Sequence, residues 1–204
     1  MQASARGERR LCFMDHDDPI RPWPVIKSKQ GTSLGIFQPR WDHVKNPRNG
    51  HEMRALVLET PQWVNVVPRD EEGRFLLVRQ WRFGINGPSL EIPGGVVHAG
   101  EDPMLAGKRE LLEETGCEAR EWIALGSVSP NPAIHDNRCF HFLAKGVRQV
   151  KELNLDPGED LETIWLTEQE LLAQIADERL DHALVLSALA RVLDLRVTNQ
   201  GRQD

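Results

Sequence analysis

The stretch "GGVVHAGEDPMLAGKRELLEETGC", Gly94 to Cys117, holds four glutamates and one aspartate. Three of them, Glu110, Glu113 and Glu114, crowd about one helical turn. Like charges three and four residues apart on a helix repel by about 0.2–0.5 kcal/mol per pair. The helix itself is well punctuated. Asp102 is a good N-cap, Pro103 falls at N1 where its missing N–H costs nothing, and Gly116 is a C′ stop. This predicts a helix over 103–115. At 100° per residue, Glu113 and Glu114 lie within about 60° of Glu110, with Ala106 and Gly107 on the same side. Met104, Leu105, Leu111 and Leu112 take the other side, interrupted by Lys108. The expectation is an acidic stripe with open space before its small residues and apolar anchors behind. A solvated face usually interleaves lysines at i+4, and this stripe has none. Convergent carboxylates suit a hard divalent cation such as Mg²⁺, and such ions serve phosphate chemistry. A merely solvated acidic face is the alternative.

Around this helix the chain is rich in strand-like pieces. "WPVIKSK", "SLGIFQPRWDHV" and "EMRALVLE" are short and β-prone. "QWVNVVPRDEEGRFLLVRQWRF" reads as a hairpin, Trp63–Pro68 and Arg74–Trp81, turned at Asp70–Gly73. "SLEIPGG", "EWIALGSV", "HDNRCFHFLAKGV" and "DLETIWLT" are further strands. "TEQELLAQIADERL" and "DHALVLSALARVLDL" have helical spacing, with Thr167 and Glu170 forming a capping box. Many strands around one central helix, with helices at the C-terminus, predict an α+β sandwich. The expected organisation is a loosely ordered N-terminus over 1–20, a β arm over 21–60, a main domain over 61–196 and a frayed tail over 197–204.

The bulk properties exclude several classes. The chain has 204 residues, a net charge of −6 and a pI of about 5.7, which does not suit a nucleic-acid backbone. No apolar run approaches the ~20 residues of a membrane helix. "MQASARGERRLCFMDHDD" lacks the apolar core of a secretory leader. Cys12, Cys117 and Cys139 are odd in number and lack metal-ligand spacing. They read as free thiols in a reducing cytoplasm.

Gly95, five residues, Glu101, seven residues, then "RELLEETGC" resembles the Nudix box, G-x5-E-x7-R-E-U-x-E-E-x-G-U with U apolar. "VRQWRFG", "LEIPGG" and "VSPNPAIHDNR" extend the resemblance to the ADP-ribose and nucleoside-diphosphate-sugar branch. The resemblance implies the Nudix fold, an α/β/α sandwich of mixed sheets around the box helix, with an N-terminal β arm. It also implies hydrolysis of a nucleoside diphosphate linked to another group, with Mg²⁺ or alternatively Mn²⁺. By position, Glu110, Glu113 and Glu114 are implied as metal ligands, joined by the carbonyl of Gly94. Glu101 and Arg109 are implied as a pair holding the loop to the helix. Arg109 as a simple i,i+4 partner of Glu113 stays open.

The flanks bear on the substrate. Pro132, fifteen residues past Cys117, resembles a mark of the ADP-ribose branch. A tyrosine near that point, typical of dinucleoside-polyphosphate hydrolases, is missing, as are the coenzyme A and NADH signatures. Where ADP-ribose enzymes usually show serine and glutamate around that proline, this chain has Asn131 and Asn137. That pattern looks more like members acting on wider sets of nucleotide sugars, GDP-mannose included. Arg82 matches the branch's pyrophosphate arginine, and a planar fork suits phosphate. The general base is expected on the loop "DPGEDLET", at Glu159, then Asp160 or Glu162. His135 and His141, beside a nearby strand, are alternatives or structural histidines. The resemblance further implies a homodimer through residues 23–60. Two other readings stay open: a Nudix enzyme on a nucleoside triphosphate or dinucleotide, and a non-catalytic ADP-ribose sensor.

Overall fold

A computed structural model describes residues 19–152 and 160–196. In chain order the strands are β1 (Val25–Gln30), β2 (Gln38–Lys45), β3 (Glu52–Glu59), β4 (Trp63–Arg69), β5 (Phe75–Arg82), β6 (Gly87–Glu91) and β7 (Gly94–Val96). Helix α1 (Pro103–Thr115) follows, then β8 (Cys117–Glu118), β9 (Glu121–Val128), β10 (Cys139–Lys145), β11 (Arg148–Gln149), β12 (Leu161–Leu166), α2 (Glu168–Ala176) and α3 (Ala183–Leu189).

A seven-stranded mixed sheet carries the domain. Its path is β12-β5-β4-β10-β9, with β6 pairing β5 and β7 pairing β4. β10 runs parallel to β4, with Cys139 opposite Trp63, while the other pairs are antiparallel. Strand alternation sends Val64 and Val66 to one face and Val67 to the other. On the first face they meet Leu76, Phe142, Ala106 and Leu111, so α1 covers it. On the second, Val67, Phe75 and Leu77 meet Leu171, Leu180, Val185 and Leu189 of the C-terminal helical segment. The result is an α/β/α sandwich. Each fully buried leucine or valine contributes about 1.5–3 kcal/mol against exposure.

Helix α1 has the bounds the sequence predicts. Asp102 Oδ1 accepts from the N–H groups of Met104 (2.9 Å) and Leu105 (3.3 Å), and Gly116 closes the helix in the left-handed region at φ 67°. Its orientation corrects the sequence reading. Ala106 and Gly107 do not leave open space; they are buried against β4. A Cβ on Gly107 would lie 3.2 Å from Val66 and 3.3 Å from Val64. Leu105, expected as an anchor, is 57 % exposed, whereas Glu114 is 5 % exposed. The small residues are therefore the contact that brings the acidic side of the helix down onto the sheet.

The two C-terminal helices are shorter than their apolar periodicity. Helix α2 starts at its capping box, Thr167 with Glu170, and stops at Ala176. Helix α3 ends at Leu189, after which Arg191 and Val192 make i−3 turns and Arg191 donates to the carbonyls of Leu125 and Ser127 on β9.

Strands β1, β2 and β3 form a separate antiparallel sheet. All six residues of β1 are exposed. The buried polar group of this sheet, Asp42, accepts from Ser28 (2.7 Å) and Arg40 (3.0 Å). The sheet joins the main domain at Leu58, whose N–H donates to Ile134 (2.7 Å), and where Phe37 and Trp63 pack on His135. Cys117 and Cys139 are free and buried, and burial pushes the Cys139 thiol up to about 12. Cys12 lies outside the described residues. Among those described, no helix is long and apolar enough to cross a membrane.

Candidate active site

Two glycines let the acidic helix meet the sheet. Gly94 and Gly95 pair with Asn65 and Val64 across β7 and β4. A Cβ at Gly94 would lie 2.3 Å from the Val64 carbonyl oxygen, and one at Gly95 would lie 2.4 Å from Glu110 Oε1. At Gly94 a side chain would meet fixed backbone, and at Gly95 it would push the Glu110 carboxylate out of its place. The Gly94 N–H donates to Glu114 Oε2 at 3.1 Å. Backbone without side chains thus forms a cradle against two carboxylates of α1.

Arg109 organises the acidic side of the helix. Its Nε and Nη2 donate to the two oxygens of Glu101 (3.1 and 3.2 Å), and Nη2 also donates to the Val96 carbonyl (3.0 Å). Nη1 donates to Glu110 (2.8 Å) and Glu113 (3.0 Å). The loop clamp and the i,i+4 pair, read as alternatives from sequence, are present together. The Arg109 hydrogen bonds, followed by the His98 N–H, hold the Glu101 carboxyl down at about 2.

Across the gap, Arg82 at the end of β5 makes two parallel bonds to Glu91 of β6, both 2.8 Å. Glu91 is buried. Burial alone raises a carboxylate's pKa, but the Arg82 bonds and charge, a Ser89 bond and nearby His182 together bring it below the ordinary value. The field of Glu114 also reaches Arg82. Arg82, Glu91, Gly94, Gly95, Asn65 and His182 line one cavity of about 270 Å³.

Among the described residues no three acidic, histidine or cysteine side chains converge into a closed metal cluster. The donor set nevertheless fits a hard cation. It is all oxygen, it spans adjacent turns of one helix, and the Gly95 cradle keeps the Glu110 carboxylate against bare backbone.

Several sequence-chosen residues lie elsewhere. Asn137 is buried and donates to the Pro61 carbonyl at 2.8 Å. The Asn131 side chain accepts from Ala133 N–H (3.3 Å), closing the turn that contains Pro132. Glu162 stands opposite Arg79, on the sheet face of Ile164 and Leu166, away from α1. Asp160 is exposed just before β12. Glu159 lies outside the described residues. Glu91, Asn65 and His182 carried no role in the sequence reading. The available signal was a carboxylate alternating with apolar residues in "SLEIPGG" and a histidine directly before an apolar helical run.

Neither histidine alternative faces the cavity. His135 packs against the tilted ring of Phe37 and edge-on to Trp63. His141 is 0 % exposed, and among the described residues neither ring nitrogen has a hydrogen-bond partner. Burial, then the charge of Arg191, pushes it down to about 4. A histidine lowered in the fold contributes full stability above its unfolded pKa, about 6.5, and loses it as pH falls toward the folded value. The whole loss is about 3 kcal/mol, and about 2 kcal/mol of it is gone by pH 5. Urea unfolding of wild type and His141→Leu at pH 7.5 and pH 5 measures this. The variant loses about 2 kcal/mol less than wild type on acidification; equal losses contradict the assignment.

The chain matches the family model of the NUDIX domain over residues 59–189. The chain belongs to the Nudix family. The Nudix box is therefore the loop–helix unit from Gly95 to Cys117. A methanol dehydrogenase activator of Bacillus methanolicus is 32 % identical over 159 residues, 76 % of this chain and 84 % of that protein. An ADP-ribose pyrophosphatase of Mycobacterium tuberculosis is 35 % identical over 127 residues, 62 % of this chain and 61 % of that protein. The solved structure of an ADP compounds hydrolase superposes with a TM-score of 0.75 at 20 % identity, covering 85 % of this chain and 93 % of that one. The Nudix fold is thus shared, and the chain resembles ADP-ribose pyrophosphatases among its Nudix relatives.

Proposed function

We propose that the chain hydrolyses the pyrophosphate bond of nucleoside diphosphate sugars of the ADP-ribose and GDP-mannose type. The products are a nucleoside monophosphate and a sugar phosphate. The observation that carries this is the packing of the acidic face of α1 on the Gly94–Gly95 cradle, whose two glycines share one cavity with the Arg82–Glu91 clamp. Mg²⁺, with Mn²⁺ as the alternative, would be held by Glu110, Glu113, Glu114 and the Gly94 carbonyl. Such an ion neutralises phosphate charge and favours deprotonation of an attacking water. Glu91 fixes the plane of the Arg82 guanidinium, whose remaining N–H groups orient the pyrophosphate. Arg109 and Glu101 keep the loop before α1 against the helix. A carboxylate of the 159–160 segment takes the proton of the water, and the water attacks the nucleotide-side phosphorus. The buried free thiols suit a reducing cytoplasm.

A product screen over ADP-ribose, GDP-mannose and other nucleotide sugars with Mg²⁺ tests the reading. Equal amounts of nucleoside monophosphate and sugar phosphate are expected. Orthophosphate or inorganic pyrophosphate released from nucleoside triphosphates instead would move the substrate class. The likeness to a methanol dehydrogenase activator favours one second reading, action on a dehydrogenase. The screen therefore includes a dehydrogenase rate assay with the chain added.

The β1–β3 sheet is proposed to pair with a second copy. Val25, Ile26, Leu34, Ile36 and Met53 are all exposed on it or on its hairpin tip. Light scattering is expected to give twice 23.2 kDa. A fully active monomer would remove the shared arm.

A further inference from the structure

Helix α3 opens at His182, which is half-buried at the rim of the cavity. Its Nδ1 accepts from the Val185 N–H at 3.4 Å, as an N-cap. A neutral imidazole that accepts at Nδ1 carries its proton on Nε2. Capping accounts for one end of the ring only. Asparagine, aspartate and serine are the usual residues for that task, and histidine is not among them. Among the described residues none accepts from Nε2. The ring shares the cavity wall with Arg82 and Glu91.

The charge balance of the cavity adds a second constraint. Glu91 takes up Nε and one Nη2 bond of Arg82, so the clamp itself is close to neutral. Glu114 adds negative charge on the α1 side. A substrate carrying two phosphate charges needs a donor on the wall away from α1. His182 is a donor there, and its cap bond fixes the ring.

We propose that His182 is a substrate-binding residue, its Nε2–H donating to a phosphate or sugar oxygen of the bound nucleotide sugar. This rests on the function proposed above. The contact makes α3, a helix outside the Nudix box, part of the substrate site. It is distinct from the metal-holding face of α1, so its loss weakens binding more than it slows the chemical step.

Two substitutions separate the ring's two ends. In His182→Asn the amide oxygen takes the place of Nδ1, so the cap survives and the Nε2 donor is gone. In His182→Gln the amide nitrogen reaches the place of Nε2, while the cap is weakened. With ADP-ribose and Mg²⁺, His182→Asn is expected to keep the wild-type Tm and raise KM roughly 10- to 100-fold, with kcat within a few-fold. His182→Gln is expected to lower Tm and recover most of the KM. A wild-type KM in His182→Asn, or variants that change Tm alone, overturns the proposal and makes His182 a cap only. No turnover of any nucleotide sugar by the wild type overturns the proposed function itself, and the substrate contact falls with it.

Discussion

Glu114→Gln abolishes turnover and leaves the fold standing. Glu114 is buried, accepts from the Gly94 N–H, and its charge reaches Arg82. The substitution keeps the shape and the acceptor for Gly94 and removes one negative charge. Metal assistance is worth several kcal/mol at the transition state, and each 1.4 kcal/mol is tenfold in rate. A loss of roughly a thousandfold or more is expected, with an unchanged Tm in metal-free buffer. Substantial activity in Glu114→Gln at saturating Mg²⁺ would show that this carboxylate holds no essential ion.

The second large effect concerns the base. Glu159→Gln is expected to lower kcat by roughly two to four orders of magnitude, the usual range for a lost general base. Binding should suffer far less, because Arg82 and the α1 carboxylates are untouched. Glu162→Gln should keep its rate, since Glu162 sits on the sheet face opposite α1. A full rate in Glu159→Gln with a collapse in Asp160→Asn moves the base by one residue. A collapse in Glu162→Gln alone would contradict the geometry of β12.

The contrast between Glu114 and Glu162 shows where the sequence was informative. The bounds of α1 were legible because Asp102, Pro103 and Gly116 act through local backbone chemistry that needs no partner. The turn from β4 to β5 was legible because the Asp70–Gly73 signal is also local, although the two strands pair only at Arg69 and Phe75 before β7 takes the place beside β4. The acidic stripe was visible on a helical wheel, but which side of the helix met the sheet was not. Hydropathy favoured Leu105 as an anchor. Close approach was instead decided by Ala106 and Gly107 against the valines of β4, a contact between segments some forty residues apart.

The site outside the box was less legible for the same reason. Arg82 and Glu91 meet because β5 and β6 pair and share a face. His182 arrives at that cavity only through the packing of the C-terminal helices on the far side of the sheet. Asn137 illustrates the converse. Its side chain type suits a sugar hydroxyl, yet its neighbours bury it and give its amide to Pro61. Residue type sets what a side chain can do, and tertiary pairing sets what it meets.

The most direct measurement is hydrolysis of ADP-ribose by the wild-type chain in ¹⁸O-water, with and without Mg²⁺, with both products weighed. AMP and ribose 5-phosphate are expected in equal amounts, only when the metal is present, with one ¹⁸O in the AMP. AMP formation that ignores Mg²⁺, or no AMP at all, would contradict the proposed reaction.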